Sequence, residues 1–117
     1  MYGLGNYAAA SEFYQAGQDF REARQETREA NQHFANARED FRRADQADIH
    51  CPFGGTIHTA EGNFWRAEGQ REMAMGREDL ADARQARAEG NQHVANGYAD
   101  LAWGGFGGFG FGGCGYI

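Results

Sequence analysis

The sequence predicts an all-α protein: a long antiparallel two-helix hairpin with alanine- and glycine-rich coiled-coil packing and an ordered, glycine- and aromatic-rich arm at each end. Three observations predict it. Each half of the chain carries a seven-residue pattern of large and small residues, which is typical of a helix packed along a seam. Between the halves, the lone proline, Pro52, and the pair Gly54 and Gly55 end a helix. The halves also resemble each other at an offset of 60 residues.

The first two elements are an N-terminal arm over residues 1–10, rich in tyrosine and glycine, and a helix over residues 11–48. In this helix a phenylalanine or threonine recurs every seventh residue, and an alanine follows three places after each. The large row is Phe13, Phe20, Thr27, Phe34 and Phe41, and the small row is Ala16, Ala23, Ala30, Ala37 and Ala44. The two rows predict one continuous packing seam.

A turn over residues 49–59 leads to the second helix, residues 60–102, which Thr56 or Thr59 is suited to cap. Its large row is Met73, Leu80, Arg87, Val94 and Leu101, and its small row is Gly76, Ala83, Gly90, Gly97 and Gly104. A second small row is Ala67, Ala74, Ala81, Ala88, Ala95 and Ala102. A helical glycine costs about 1 kcal/mol relative to alanine. Glycines on a seven-residue grid therefore indicate close approach of another backbone; a weak, frayed helix is the alternative interpretation.

The duplication is visible in short identical segments. Residues 23–25 (Ala-Arg-Gln) recur at 83–85, and residues 31–33 (Asn-Gln-His) recur at 91–93. Repeated units that cannot bury their own faces rely on stacking against neighbours. The repeat therefore favours association between copies of this chain.

Residues 103–117 form a C-terminal arm in which aromatic residues alternate with glycine. Such aromatic side chains can insert into grooves of a neighbouring copy, whereas a flexible low-complexity tail is the alternative. The predicted assembly interface joins this arm to the helix rows and comprises Phe13, Phe20, Phe34, Phe41, Gly76, Gly90, Gly97, Trp103, Phe106, Phe109, Phe111 and Tyr116.

The two cysteines, Cys51 and Cys114, lie in the turn and in the C-terminal arm. A helix of this length spans about 60 Å at about 1.5 Å per residue. The arm reaches back at most about 40 Å. The sequence therefore predicts a disulfide between Cys51 of one subunit and Cys114 of the next, and two free thiols are the alternative.

Four histidines are the candidate metal ligands: His33, His93, His50 and His58. A hairpin turning near Phe53 places His33 opposite Ala74 and His93 opposite Tyr14, so the two histidines lie about 30 Å apart and a shared site requires two subunits. His50 and His58 form with Cys51 a zinc set that lacks a fourth ligand. We predict no metal and no cofactor, and expect the histidines of the repeated pair, His33 and His93, to bond Asn36 or a neighbouring acid at a helix flank.

The charge pattern predicts pairing between helices. A row of acidic residues and one histidine runs along the first helix at seven-residue spacing: Glu12, Asp19, Glu26, His33 and Asp40. Arginine, the sole strongly basic residue type, is interleaved with acidic residues, and the formal net charge is -6. Nucleic-acid binding needs a clustered basic surface, so it is not predicted. Ser11 is the only serine and no catalytic motif is present, so we expect no enzyme and no small-molecule substrate.

These observations predict a structural self-assembling protein, the subunit of a homopolymeric filament or tube. No membrane span and no signal peptide are evident, so we expect the chain to be made as a soluble cytosolic protein. We expect an extracellular or cell-surface location that is reached by a route without a recognisable signal peptide, and a cytoplasmic location is the alternative. Alternative functions are a small helical partner or effector acting as a dimer and an oligomeric metal-binding bundle. In length and acidic character the chain resembles the secreted WXG100 hairpins, which imply the effector role, but Trp65 is followed by Arg66 and Ala67 instead of their Trp-x-Gly turn.

Overall fold

The computed structural model describes the backbone of residues 2–106 and the side chains of residues 7–102. Its elements in chain order are α1 (Tyr2–Ala47), β1 (Ile49–His50), β2 (Thr56–Ile57) and α2 (Ala60–Phe106). The two long helices pack against each other, which confirms the predicted all-α hairpin. The described part of the chain divides into two compact units, which we call the terminal unit (residues 2–24 and 84–106) and the turn unit (residues 25–83).

Both helices extend further than the sequence pattern predicted. α1 begins at Tyr2, so the expected arm over residues 1–10 is helical from its second residue. The cause is local, because Ala8 and Ala10 are strong helix formers and Ala9 continues the buried alanine row. At the other end α2 continues to Phe106, past the expected end at residue 102.

A short two-stranded ribbon joins the helices. β1 and β2 are antiparallel, with Ile49 opposite Ile57 and His50 opposite Thr56. Gly54 and Gly55 close the ribbon with φ angles of 110° and 85°, a left-handed conformation that side chains disfavour. These two glycines therefore fix the position of the reversal.

Thr59 caps the second helix. Its Oγ1 accepts a hydrogen bond from the Gly62 amide at 2.9 Å and donates one to the Ala47 carbonyl at 3.0 Å. Glu61 supplies the negative charge favoured in the first turn of α2. Of the two threonines considered for the cap, Thr59 takes the role, and Thr56 lies in β2.

Phenylalanines of α1 pack onto glycines of α2 at regular intervals. In the terminal unit Phe13 meets Gly97 and Phe20 meets Gly90, while in the turn unit Phe34 meets Gly76 and Phe41 meets Gly69. A Cβ on any of these glycines would lie 2.6 to 2.8 Å from Cε1 of the facing ring. The absence of that atom lets the ring edges approach the α2 backbone.

The same register explains why alanine lines α1 and glycine lines α2. In every phenylalanine–glycine pair the two residue numbers add up to 110. That register also sets the alanines of α1 level with the large row of α2, as for Ala30 and Leu80 or Ala37 and Met73. Most of these alanines therefore lie level with apolar side chains, although Ala23 lies level with Arg87, and glycine faces the wider aromatic rings. Where Thr27 replaces phenylalanine, the residue at the same level is Ala83 instead of glycine.

This register corrects the one expected from a turn near Phe53. His33 lies level with Arg77 instead of Ala74, and His93 lies level with Gly17 instead of Tyr14. The glycine pair, and not the proline, determines the reversal, which shifts the facing helix by almost one turn.

Candidate functional site

Two equivalent groups of one histidine, one glutamate and one aspartate join the helices, one in each compact unit. In the turn unit, His33 of α1 lies between Glu72 and Asp79 of α2. Its Nδ1 is 2.6 Å from Glu72 Oε1, and its Nε2 is 3.5 Å from Asp79 Oδ2. The two acids are seven residues apart and so lie about two turns apart along one face. We call this group the His33 cluster.

The His93 cluster repeats this arrangement in the terminal unit with the helices exchanged. His93 of α2 lies between Glu12 and Asp19 of α1, with Nδ1 2.5 Å from Glu12 Oε1 and Nε2 3.6 Å from Asp19 Oδ2. Each member is related to its counterpart in the His33 cluster by the offset of 60 residues. All six side chains are half-buried, with exposed fractions between 16% and 33%. The internal repeat therefore produces the same contact between a histidine of one helix and two acids of the other at two places in the chain.

The carboxylates favour the charged form of both histidines. The hydrogen bond to Glu72 raises the pKa of His33 above its ordinary value of 6.5, while partial desolvation opposes the shift and the charges of Asp79 and Glu29 add to it. The pKa of His93 is raised in the same way, first by the hydrogen bond to Glu12. The two acids of each cluster thus favour the protonated form of the ring between them.

The environment of Asp19 favours a protonated His93 ring. Its Oδ2, the atom that faces His93 Nε2, is the one buried polar side-chain atom without a hydrogen-bond partner among the described side chains. An unpaired buried carboxylate oxygen is costly, so the nearby positive charge is its main compensation.

A third group, in the turn unit, contains only acids. Oxygen atoms of Glu26, Asp79 and Asp82 lie within 4.8 Å of one another, so Asp79 belongs both to this group and to the His33 cluster. A hydrogen bond with Glu29, together with desolvation and the neighbouring charges, raises the pKa of Glu26 to about 6. The repeat is broken here, because Ala86 occupies the position equivalent to Glu26.

Asp48 organises the junction between α1, the ribbon and α2. Its side chain is 3% exposed and receives hydrogen bonds from both terminal nitrogens of Arg66, at 2.6 and 3.3 Å. His58 Nδ1 and the Thr59 amide also bond it, at 3.0 and 3.1 Å. Arg66 is the main cause that holds the pKa of Asp48 well below its usual range. The carboxylate lies against Gly62, where a Cβ would collide with Oδ1.

The four candidate metal ligands lie in separate surroundings. His33 and His93 belong to different units, and His58 bonds Asp48. His50 bonds the Asp45 carbonyl at 2.9 Å and Thr56 Oγ1 at 3.3 Å. Among the described side chains, the group with metal-ligand spacing is the acidic one around Glu26, and it includes none of these histidines.

The predicted disulfide is only partly within the described region. Cys51 is half-buried in the turn and has a free thiol. Cys114 lies outside the described residues, so the pairing of these two cysteines stays a prediction.

The predicted assembly residues have partners inside the chain where the structure describes them. The ring edges of Phe13, Phe20, Phe34 and Phe41 pack onto Gly97, Gly90, Gly76 and Gly69, respectively. The glycines thus admit aromatic rings of the same chain, whereas the sequence pattern had been assigned to the backbone of a neighbour. Trp103 and Phe106 lie in α2 with side chains outside the described set, and Phe109, Phe111 and Tyr116 lie beyond the described residues.

Other large apolar side chains are exposed. In the turn unit Ile49 and Ile57 are each 53% exposed, Phe64 is 55% exposed, and Phe53 is fully exposed. In the terminal unit the exposed aromatic residues are Tyr7, Tyr14 and Tyr98. These residues were not part of the predicted interface, because they fall outside the seven-residue rows of the seam.

The acidic partners of the two histidines were also missed, although a signal was present. The row containing Glu12, Asp19 and His33 was predicted to pair between helices. Its counterpart on α2 contains Glu72, Asp79 and His93, so the repeat itself carries both halves of both clusters. The recurrence of Glu12 and Asp19 as Glu72 and Asp79, 60 residues later, is the signal that identifies these acidic partners.

No protein-family model, curated protein or solved structure matches this chain. Within the residues that the structure describes, neither helix contains a stretch long and apolar enough to cross a membrane.

Proposed function

We propose that this chain is a structural protein that assembles with copies of itself into a homopolymeric filament or tube, and that it is not an enzyme. One observation carries the proposal: the apolar residues buried inside the described hairpin are all alanines, while the larger apolar residues retain exposed surface. The buried alanines are Ala9, Ala16, Ala23, Ala30, Ala37, Ala44, Ala83 and Ala86. Complete burial of one large apolar side chain is worth about 1.5 to 3 kcal/mol. Association would therefore add burial that the hairpin lacks.

The ribbon is the first surface that supports the proposal. Ile49 and Ile57 lie opposite each other on neighbouring strands, and Phe53 projects beyond them. Exposed apolar groups of this kind mark sites of protein association. We assign this ribbon surface to contacts that join successive subunits.

The outer rows of the two helices supply a second surface. The second small row of α2 is exposed at all six positions: Ala67, Ala74, Ala81, Ala88, Ala95 and Ala102. The equivalent row of α1 carries mostly long side chains: Tyr7, Tyr14, Arg21, Arg28, Ala35 and Arg42. A row of large residues on one copy can pack into a row of alanines on another, and such a heterologous contact continues into a fibre.

Two further features of the proposed polymer extend beyond the described residues. We propose that the C-terminal arm contacts the next subunit and that Cys51 and Cys114 form the disulfide there. A monomer band on both reducing and non-reducing gels of the assembled protein would contradict the disulfide. A location outside the cell, at its surface or free, belongs to the same proposal, and cell fractionation tests it.

Sedimentation velocity over a concentration series tests the ribbon surface. We expect the unmodified protein to form large species whose size increases with concentration. The double variant F53S/I57S should shift the onset of assembly to a concentration at least about tenfold higher, because about 1.4 kcal/mol per contact is enough for that change. T56S, which changes a neighbouring exposed residue with little loss of apolar surface, is the matched control. An identical onset in all three proteins would contradict the role of the ribbon.

A further inference from the structure

Both ring nitrogens of His33 and of His93 face a carboxylate of the other helix. A neutral imidazole has one N–H donor, and its second nitrogen presents a lone pair. With Nδ1 donating to the glutamate, that lone pair would point at Asp79 in one cluster and at Asp19 in the other. Only the doubly protonated ring interacts favourably with both acids. The geometry alone therefore distinguishes the two protonation states.

We propose that the His33 and His93 clusters are two proton-operated latches, each of which holds α1 to α2 while its ring is protonated and weakens that contact when the ring loses a proton. The property is additional to the proposed assembly, since each latch lies within one chain. It rests on the same geometry at two places related by the internal repeat.

The charged groups that raise the pKa of each ring are all acids, and Arg77 lies level with His33 on the facing helix. The groups that act on His33 are Glu72 and Asp79 on α2 and Glu29 on α1. Those that act on His93 are Glu12 and Asp19 on α1 and, on its own helix, Glu89. Loss of a proton consequently leaves two facing acids with no cation between them. In the His93 cluster it also leaves Asp19 Oδ2 buried without compensation.

The direction of the pH dependence follows from these contacts. Each folded histidine has a pKa above its ordinary value of 6.5, so the folded chain binds the proton more tightly than the unfolded chain. The stabilisation is complete below about pH 6.5 and is lost as the pH rises through the folded pKa. The latches are therefore closed in mildly acidic solution and open in alkaline solution.

Proton NMR of the full chain tests the latches directly, with single His→Gln variants to assign the four imidazole signals. We expect His33 and His93 to titrate with midpoints above 6.5. In E72Q the midpoint of His33 should fall by at least about half a unit while that of His93 stays unchanged, and E12Q should give the reverse. A midpoint at or below 6.5 for either ring, or no change in these variants, would overturn the proposal.

Thermal unfolding followed by circular dichroism provides the second readout. Between about pH 6 and about pH 9 the melting temperature of the unmodified protein should fall, and in H33Q/H93Q at least half of that fall should disappear. H50Q, which removes a histidine bonded within the turn, should keep the full dependence. An undiminished fall in H33Q/H93Q contradicts the latches. If that variant does not fold, H33Q and H93Q are measured singly, and each must reduce the fall.

Discussion

The absence of a Cβ atom at four glycines of α2 determines how closely the two helices can pack. Each glycine that faces a phenylalanine lacks the one carbon atom that would touch the ring. A helical glycine would be destabilising without such a contact, so the four phenylalanine–glycine pairs explain an otherwise unfavourable composition. The sequence showed the spacing of these glycines, but not their partners, because a neighbour of the same chain and a neighbour of another chain leave the same pattern.

Gly76→Ala should therefore destabilise the hairpin although alanine favours helices. The new Cβ would lie 2.6 Å from Cε1 of Phe34, and overpacking of this kind costs about 1 to 3 kcal/mol. Over most of this range the cost exceeds the gain in helix propensity of about 1 kcal/mol. Urea unfolding followed by circular dichroism measures the difference.

Gly17→Ala is the matched control, since a Cβ there meets only Arg21 Nη1 at 3.7 Å. It should stabilise α1 by up to about 1 kcal/mol. The double variant F34T/G76A recreates the natural combination of Thr27 and Ala83 and should be less destabilised than the two single changes predict. A stabilising G76A would show that the ring has room to move away.

The helices and the turn differ in how well the sequence predicts them. Both helices follow from the seven-residue rows, because this pattern is local and is repeated many times. The register between them depends on where the chain reverses, and Pro52 and the pair Gly54 and Gly55 are all turn residues. Choosing a reversal near Phe53 shifted the facing helix by three residues. That shift moved Asp79 from two residues to five residues away from the position level with His33, because contacts between helices are sensitive to less than one turn.

The cap of α2 gives a prediction at this level. Thr59→Ala removes the hydroxyl that bonds both the Gly62 amide and the Ala47 carbonyl, so it should lower the free energy of unfolding by about 1 kcal/mol or more. Thr56→Ala, in the exposed β2 strand, is the control and should change it by about 0.5 kcal/mol or less. Urea unfolding of both variants measures the difference. Equal changes in the free energy of unfolding would contradict the capping role of Thr59.

The chain considered as one protein combines internal symmetry with unequal outer surfaces. Inside each unit the repeat produces equivalent contacts, as in the two histidine clusters. Outside, equivalent rows differ: α1 presents tyrosine and arginine, and α2 presents alanine. The sequence predicted association from the repeat. The exposed ribbon adds a surface for association outside the seven-residue rows. The second small row of α2, which the sequence pattern had shown, is exposed at all six positions.

Electron microscopy of the purified full chain in negative stain tests the proposed function most directly. The protein should be imaged near pH 6, where both latches are predicted to be closed, at several concentrations. We expect elongated particles of constant width whose length increases with concentration. Small particles of one uniform size at every concentration would contradict the proposal that this chain is the subunit of a homopolymer.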